Sequence, residues 1–133
     1  MGRWGRNHLK TLPTLVDELH VVDADPRPLK ACKEFSIPPD HLSTDYRNFI
    51  DRVEGVDGVT PADRHLAICK DCFERGRDVF VEKPIAVTIG EAEEMVFRAN
   101  ERKAILQIGH IYRYHPASLR MKPLIENGRL GKV

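Results

Sequence analysis

No apolar run in the sequence approaches the ~20 residues that a membrane-spanning helix requires, so a membrane protein is not expected. No apolar stretch follows the basic residues of Met1-Gly2-Arg3-Trp4-Gly5-Arg6-Asn7 either, which argues against a secretory leader. Cysteine is scarce. Three residues, Cys32, Cys69 and Cys72, cannot all pair within one chain, so a reducing, cytoplasmic setting with free thiols is expected. A charge excess of either sign is also missing. The 21 Lys+Arg and 20 Asp+Glu leave a formal net charge of +1, whereas nucleic-acid binding calls for a basic stripe. There is no internal repeat, low-complexity tract or long linker.

What is present is an ordinary mixture, 41% hydrophobic and 31% charged over 133 residues, enough for one domain with its own core. Helical and strand patterns alternate, which predicts parallel strands joined by crossover helices. A first helix is expected from Trp4 or Gly5 to about Leu12, ended by Pro13. A strand at Leu19–Asp23 leads to a helix capped by Asp25, with Pro26 at its first position and Leu29, Cys32 and Phe35 facing inward. A short helix is expected near Tyr46–Arg52 and a very short strand at Val56–Val59. Asp63 is the expected cap of a helix over His65–Arg75, which Gly76 stops. After a strand at Asp78–Val81, Thr88 and Glu91 form a T-x-x-E capping box. That helix should bury Ile89, Ala92, Val96 and Ala99 and turn Glu93, Glu94 and Arg98 to water. A last strand at Ala104–Gly109 and a helix over Pro116–Asn127 complete the pattern.

Several residues could carry chemistry. Gly2-Arg3-Trp4-Gly5 opens the first helix, where free N–H groups either bind a diphosphate or are merely capped. Asp23 ends a strand 18 residues after Gly5, near the ~20-residue offset at which an acid takes a ribose 2′-hydroxyl; the plainer reading is a surface acid beside a helix cap. Glu82-Lys83-Pro84 follows a strand at its carboxyl end, where open α/β sheets bind ligands. Lys83 there either hydrogen-bonds a reacting hydroxyl or forms a solvated pair with Glu82. His65, Cys69 and Cys72 share one helix face, but that face is also the stripe the helix must bury, and no fourth ligand is suitably spaced. The Cys69-x-x-Cys72 pair lies a turn or more inside the helix, unlike a redox pair, so structural thiols and no metal are expected.

Taken together the residues resemble the Gfo/Idh/MocA oxidoreductases, NAD(P)-dependent sugar and inositol dehydrogenases. Gly2-Arg3-Trp4-Gly5-Arg6-Asn7-His8 is similar to the family's glycine turn, Asp23-Ala24-Asp25-Pro26 to its ribose segment, and Thr60-Pro61-Ala62-Asp63-Arg64-His65 to its T-P-x-x-x-H loop. Glu82-Lys83-Pro84 matches its E-K-P signature, Gly109-His110 with Tyr112-Arg113 its G-H-x-x-R stretch, and Gly131-Lys132-Val133 the segment that opens its second domain. The resemblance implies a doubly wound Rossmann-like α/β domain over residues 1–126, with residues 127–133 leading into a further domain. It implies cofactor contacts at Gly2, Arg3, Trp4, Gly5, Asp23, Thr60, Pro61, His65, Glu82, Lys83 and His110, catalysis by Lys83, and substrate contacts by Lys83, Tyr112 and Arg113. His110 either lies near the nicotinamide or is structural, and Tyr112 and Arg113 either meet substrate or form an exposed loop pair.

Two departures stand out. Met1 occupies the place of the family's first glycine, with no strand before it, so the central first strand of a 3-2-1-4-5-6 sheet is expected to be missing. Val56–Val59 runs directly into Thr60-Pro61 where the family has a few more apolar residues. With a second domain also absent, low stability and weak NAD binding are expected of the chain alone. The expected activity is hydride transfer between nicotinamide and a sugar, nucleotide-sugar or cyclitol hydroxyl. NAD is favoured over NADP because Asp23 would repel a 2′-phosphate. The stretch Gly109–Tyr114 resembles nucleotide-sugar 3-dehydrogenases more than inositol enzymes. A homo-oligomer is compatible with the resemblance. The rival expectation is an inactive fragment or a nucleotide-binding subunit that needs a partner.

Overall fold

A computed structural model describes residues 1–132. Val133, the last residue of the expected Gly131-Lys132-Val133 segment, lies outside the described residues. The elements are α1 (Arg3–Thr11), β1 (Val21–Val22), α2 (Pro26–Leu29), β2 (Leu42–Ser43), β3 (Gly55–Gly58), α3 (His65–Glu74), β4 (Asp78–Val81), α4 (Ile89–Arg102), β5 (Leu106–Ile108) and α5 (Pro116–Glu126), with short 3-10 turns between them. Every strand pairing is parallel. β1 pairs with β2 in one sheet, and β3, β4 and β5 form a second in that order. This is the α/β, Rossmann-like arrangement that the alternation predicts. Among the described residues no ladder joins β1 to β3, the position at which the resemblance puts the first strand.

The differences from expectation have local causes. Of the strand expected at Leu19–Asp23, only Val21 and Val22 find ladder partners, because β2 is two residues long. β2 itself was not legible: it follows a 3-10 turn at Pro39–His41 and holds one apolar residue, Leu42. Asp25 does cap α2, its carboxylate accepting from the Arg27 N–H at 2.9 Å. The helix nonetheless tightens to 3-10 geometry over Lys30–Phe35, with prolines at positions 26 and 28 removing amides from its first turn. The short helix expected at Tyr46–Arg52 is a 3-10 turn, Tyr46–Asn48, capped by Asp45. Asp63 does not cap α3; it sits within a 3-10 turn, Ala62–Arg64, and Arg64 precedes the helix.

The capping box of α4 forms as expected, the Glu91 N–H donating to Thr88 Oγ1 and the Thr88 N–H to Glu91 Oε2. Its buried stripe keeps Ala99 as expected but is otherwise rotated from the expected one. Met95 and Ala99 are buried, while Ile89 is 79% and Val96 48% exposed. Met95 and Ala99, four apart and so on one face, meet Cys69, Cys72 and Phe73 of α3 and Val79 and Val81 of β4 in the larger core. A smaller core under the two-stranded sheet joins Leu9 of α1 to Leu29, Cys32 and Ile37. All three thiols are buried, and burial pushes those of Cys69 and Cys72 up to about 12, so they pack as small hydrophobes.

The rotated stripe separates two substitutions of similar size. Met95→Ala is expected to lower unfolding stability by about 2–5 kcal/mol, and Ile89→Ala by less than about 1 kcal/mol. Urea denaturation of both variants checks it; equal losses would put the stripe where the periodicity had it.

Candidate functional site

Parallel pairing sends all carboxyl ends of a sheet to one edge. Gly58, Val81 and Ile108 stand side by side across β3, β4 and β5. The Glu82 N–H donates to Gly58 O at 3.2 Å and the Gly109 N–H to Val81 O at 2.8 Å, extending the ladder by one residue. Thr60-Pro61, Lys83-Pro84 and His110 therefore emerge together, all exposed. The Lys83–Pro84 peptide is cis. A Cβ on Gly109 would lie 3.1 Å from Phe80 Cζ and 3.2 Å from the Glu82 carboxyl carbon, so glycine lets the Glu82 carboxylate lie against the neighbouring strand end.

Glu82 is turned inward and works on its neighbours. Its Oε2 accepts from the Lys83 N–H at 3.1 Å, and its Oε1 lies 3.1 Å from His8 Nε2. His8 Nδ1 lies 2.7 Å from Asp57 Oδ2 in β3. Ionised carboxylates only accept, so the imidazolium is the form that satisfies both contacts. Burial lowers the His8 pKa, but the hydrogen bonds and charges of Asp57 and then Glu82 outweigh it and raise the value above 6.5. Asp57 is also raised: burial dominates, His8 offsets only part of it, and the Glu82 charge adds to it. Its Oδ1 is buried without a partner. Sequence reading placed His8 in a motif without a role and passed over Asp57. The available signal was an acid in the middle of a short strand otherwise made of Gly and Val.

His65 lies in the core at 1% exposure. Its Nδ1 faces the Ile85 carbonyl and its Nε2 the Thr60 carbonyl, each at 3.0 Å. It thus ties the turn after β3 to the segment after Pro84 and presents no surface to a ligand. Asp23 ends β1 with its Oδ1 accepting the Asp25 N–H at 2.9 Å and its Oδ2 paired with the ammonium of Met1. Arg27 is forked onto Asp25, whose carboxyl is held below the usual range by those hydrogen bonds. At the start of α1, Gly2 offers no side-chain cap and no acid occupies the first turn, so the first N–H groups are left open; Gly2, Arg3 and Trp4 are exposed and Gly5 half-buried. Tyr112 and Arg113 lie exposed on the 3-10 turn Ile111–Tyr114 that follows His110. The strand ends thus gather Thr60, Pro61, Glu82, Lys83 and His110 on one sheet and Asp23 on the other, linked by α1.

Residues 1–110 match the Gfo/Idh/MocA oxidoreductase family, described as an NAD-binding Rossmann fold. The chain belongs to this family. It is 30% identical over 138 residues to the scyllo-inositol 2-dehydrogenase (NAD(+)) of Bacillus subtilis, covering 99% of this chain and 40% of that one. A UDP-N-acetylglucosamine 3-dehydrogenase of Acidithiobacillus ferrooxidans is 38% identical over 65 residues, 49% of this chain and 21% of that one. The crystal structure of scyllo-inositol dehydrogenase from Lactobacillus casei, with bound NAD(H) and scyllo-inositol, superposes with a TM-score of 0.86 over 98% of this chain and 40% of that one, at 22% identity. The chain thus spans at most about two fifths of these relatives' length.

Within this Gfo/Idh/MocA chain the His8 contacts make stability depend on pH. A raised pKa means that the folded state holds the His8 proton more tightly than the unfolded state. That contribution is fully present below 6.5 and is lost as pH rises through the folded value. His8→Gln is expected to be less stable than the parent below pH 6.5, with the gap shrinking as pH rises. Urea midpoints across that range check it; a gap that widens with pH would reverse the assignment.

Proposed function

We propose that the chain is the nucleotide-binding part of an NAD-dependent dehydrogenase that oxidises or forms a secondary hydroxyl of a sugar, nucleotide-sugar or cyclitol. The observation that carries this is the common position of Lys83 and His110 beyond the carboxyl ends of β4 and β5, with Asp23 in the same position at the end of β1. The residues fit a dinucleotide. The open N–H groups of α1 suit a pyrophosphate. Asp23 is a carboxylate placed just beyond β1, where it can accept from ribose hydroxyls. Arg27 is forked onto Asp25, which draws its guanidinium away from a 2′-phosphate and supports NAD over NADP. When bound, NAD supplies the hydride acceptor or donor.

The chain's own residues then divide the work. The Lys83 ammonium hydrogen-bonds the reacting hydroxyl and lowers the cost of charge on its oxygen. Glu82 and His8 are positioning residues, fixing the Lys83 backbone from beneath. Thr60 and Pro61 form a wall that His65 holds in place. His110 flanks the nicotinamide, and Tyr112 and Arg113 face substrate. Relatives named for an inositol and for a UDP-sugar both support a polyhydroxylated ring as substrate. A second reading, a nucleotide-binding unit that works with another chain, draws on α5, which buries no residue and exposes Leu119, Met121 and Ile125.

Calorimetry with the two cofactors tests the nucleotide reading. NAD is expected to bind tighter than NADP, and Asp23→Ala to narrow the difference; tighter NADP binding would sink it. In a full-length version that includes the second domain, Lys83→Ala is expected to leave NAD affinity within a few-fold while lowering kcat for polyol oxidation, read as NADH formation, by about a hundredfold or more. An unchanged kcat would remove Lys83 from the chemistry.

A further inference from the structure

The other edge of the small sheet carries a cluster that the nucleotide site does not use. His20 immediately precedes β1, with Glu18 two residues before it, and His41 immediately precedes β2. The two strands are parallel, so these residues gather at the amino ends, opposite Asp23. Glu18, His20 and His41 each offer one ligand atom, and the three atoms lie within 4.8 Å of one another. His20 Nε2 is 2.9 Å and His41 Nε2 3.8 Å from Glu18 Oε1. A tetrahedral ion with ~2.0–2.1 Å bonds holds its ligand atoms about 3.3 Å apart, midway between these two distances.

The rings are oriented for such an ion. The His41 Nδ1 lies 3.2 Å from the Leu19 carbonyl oxygen. A carbonyl only accepts, so in the neutral ring Nδ1 carries the proton and Nε2 presents its lone pair. A backbone acceptor behind a histidine is the usual support of a metal ligand. His41 Nε2 faces the Glu18 carboxylate across 3.8 Å, a gap that a cation can enter. His20 is held differently. Its side chain is 3% exposed and its Nδ1 is buried without a hydrogen bond. The ring packs between Phe49 and His41, both at 4.3 Å between centroids, and its Nε2 is hydrogen-bonded to Glu18 Oε1 at 2.9 Å. Glu18, 60% exposed, leaves the corner open to solvent and free to adjust.

We propose that Glu18, His20 and His41 form a binding site for a zinc-class divalent ion, separate from the nucleotide site, with water completing the coordination. Two imidazoles and one carboxylate are borderline donors that favour Zn²⁺ or Co²⁺ over Mg²⁺ and Ca²⁺. The ion would pin the entrance of β1 to the entrance of β2.

The test is calorimetric titration of the chelator-treated chain with Zn²⁺, Co²⁺ and Mg²⁺, with thermal melting in parallel. Expected are one Zn²⁺ or Co²⁺ per chain in the micromolar range or tighter, a melting temperature raised by about 4 °C or more at saturation, and no response to Mg²⁺. Glu18→Gln and His41→Gln, both outside the core, are expected to keep the far-ultraviolet spectrum and weaken Zn²⁺ at least about tenfold. His20, whose side chain is 3% exposed between two rings, is a less clean position for substitution. No saturable binding, binding unchanged in both variants, or a cobalt–thiolate absorption band pointing to the cysteines would each overturn the proposal, as would a preference for Mg²⁺.

Discussion

The architecture turns on one short helix that reaches both sheets at once. Leu9 of α1 enters the small core with Leu29, Cys32 and Ile37. Its neighbour His8, about 100° around the helix, faces the other way and meets Asp57 of β3 and Glu82 at the end of β4. No ladder connects the two sheets among the described residues, so this polar contact takes a part that backbone hydrogen bonds commonly take in a parallel sheet. It is directional: a slide of α1 along the sheet breaks both hydrogen bonds, whereas a purely apolar contact would tolerate it.

That link has an energetic cost that fits a role in positioning. Asp57 is desolvated more than His8 offsets, and one of its oxygens is orphaned. Buried ion pairs add little net stability when burial cancels attraction, yet breaking one partner leaves an uncompensated charge. The gain here is geometric. The same Glu82 that faces His8 accepts from the Lys83 amide, so the approach of α1 to the sheet and the direction of the lysine share a single carboxylate.

How much of this was legible depended on the range of the interaction. The α4 capping box was readable because both partners lie within four residues, and β4 because its Val-Phe-Val run is unbroken by polar residues. The motifs that end β3, β4 and β5 were readable as local strings. Their convergence follows from parallel pairing. What was not readable depended on distant partners. Nothing near Leu42 announces a strand until β1 is beside it. The stripe of α4 was misread because Ile89 looks more apolar than Met95, while the crossing with α3 decides which is covered. His65 was expected at the cofactor because it closes a motif, but its two carbonyl partners, at Thr60 and Ile85, draw it into the core. His8 and Asp57 are 49 positions apart, beyond the reach of any local pattern.

The two edges of the small sheet also explain why its chemistry is segregated. Parallel strands present backbone carbonyl ends at one edge and amide ends at the other, and the chain must turn tightly at both. At the carboxyl edge the turn after β1 holds Asp23, whose Oδ1 is committed to the Asp25 amide. At the amino edge the turns before β1 and β2 bring Glu18, His20 and His41 together, stacked on Phe49. Between these clusters β1 is two residues long and is paired on one side only, with β2. A strand that short has little stiffness of its own, so whatever fixes its amino end also limits how far Asp23 can move at its carboxyl end. The position of Asp23 is therefore set from behind, by the packing of two histidine rings, as much as by the turn in which it sits.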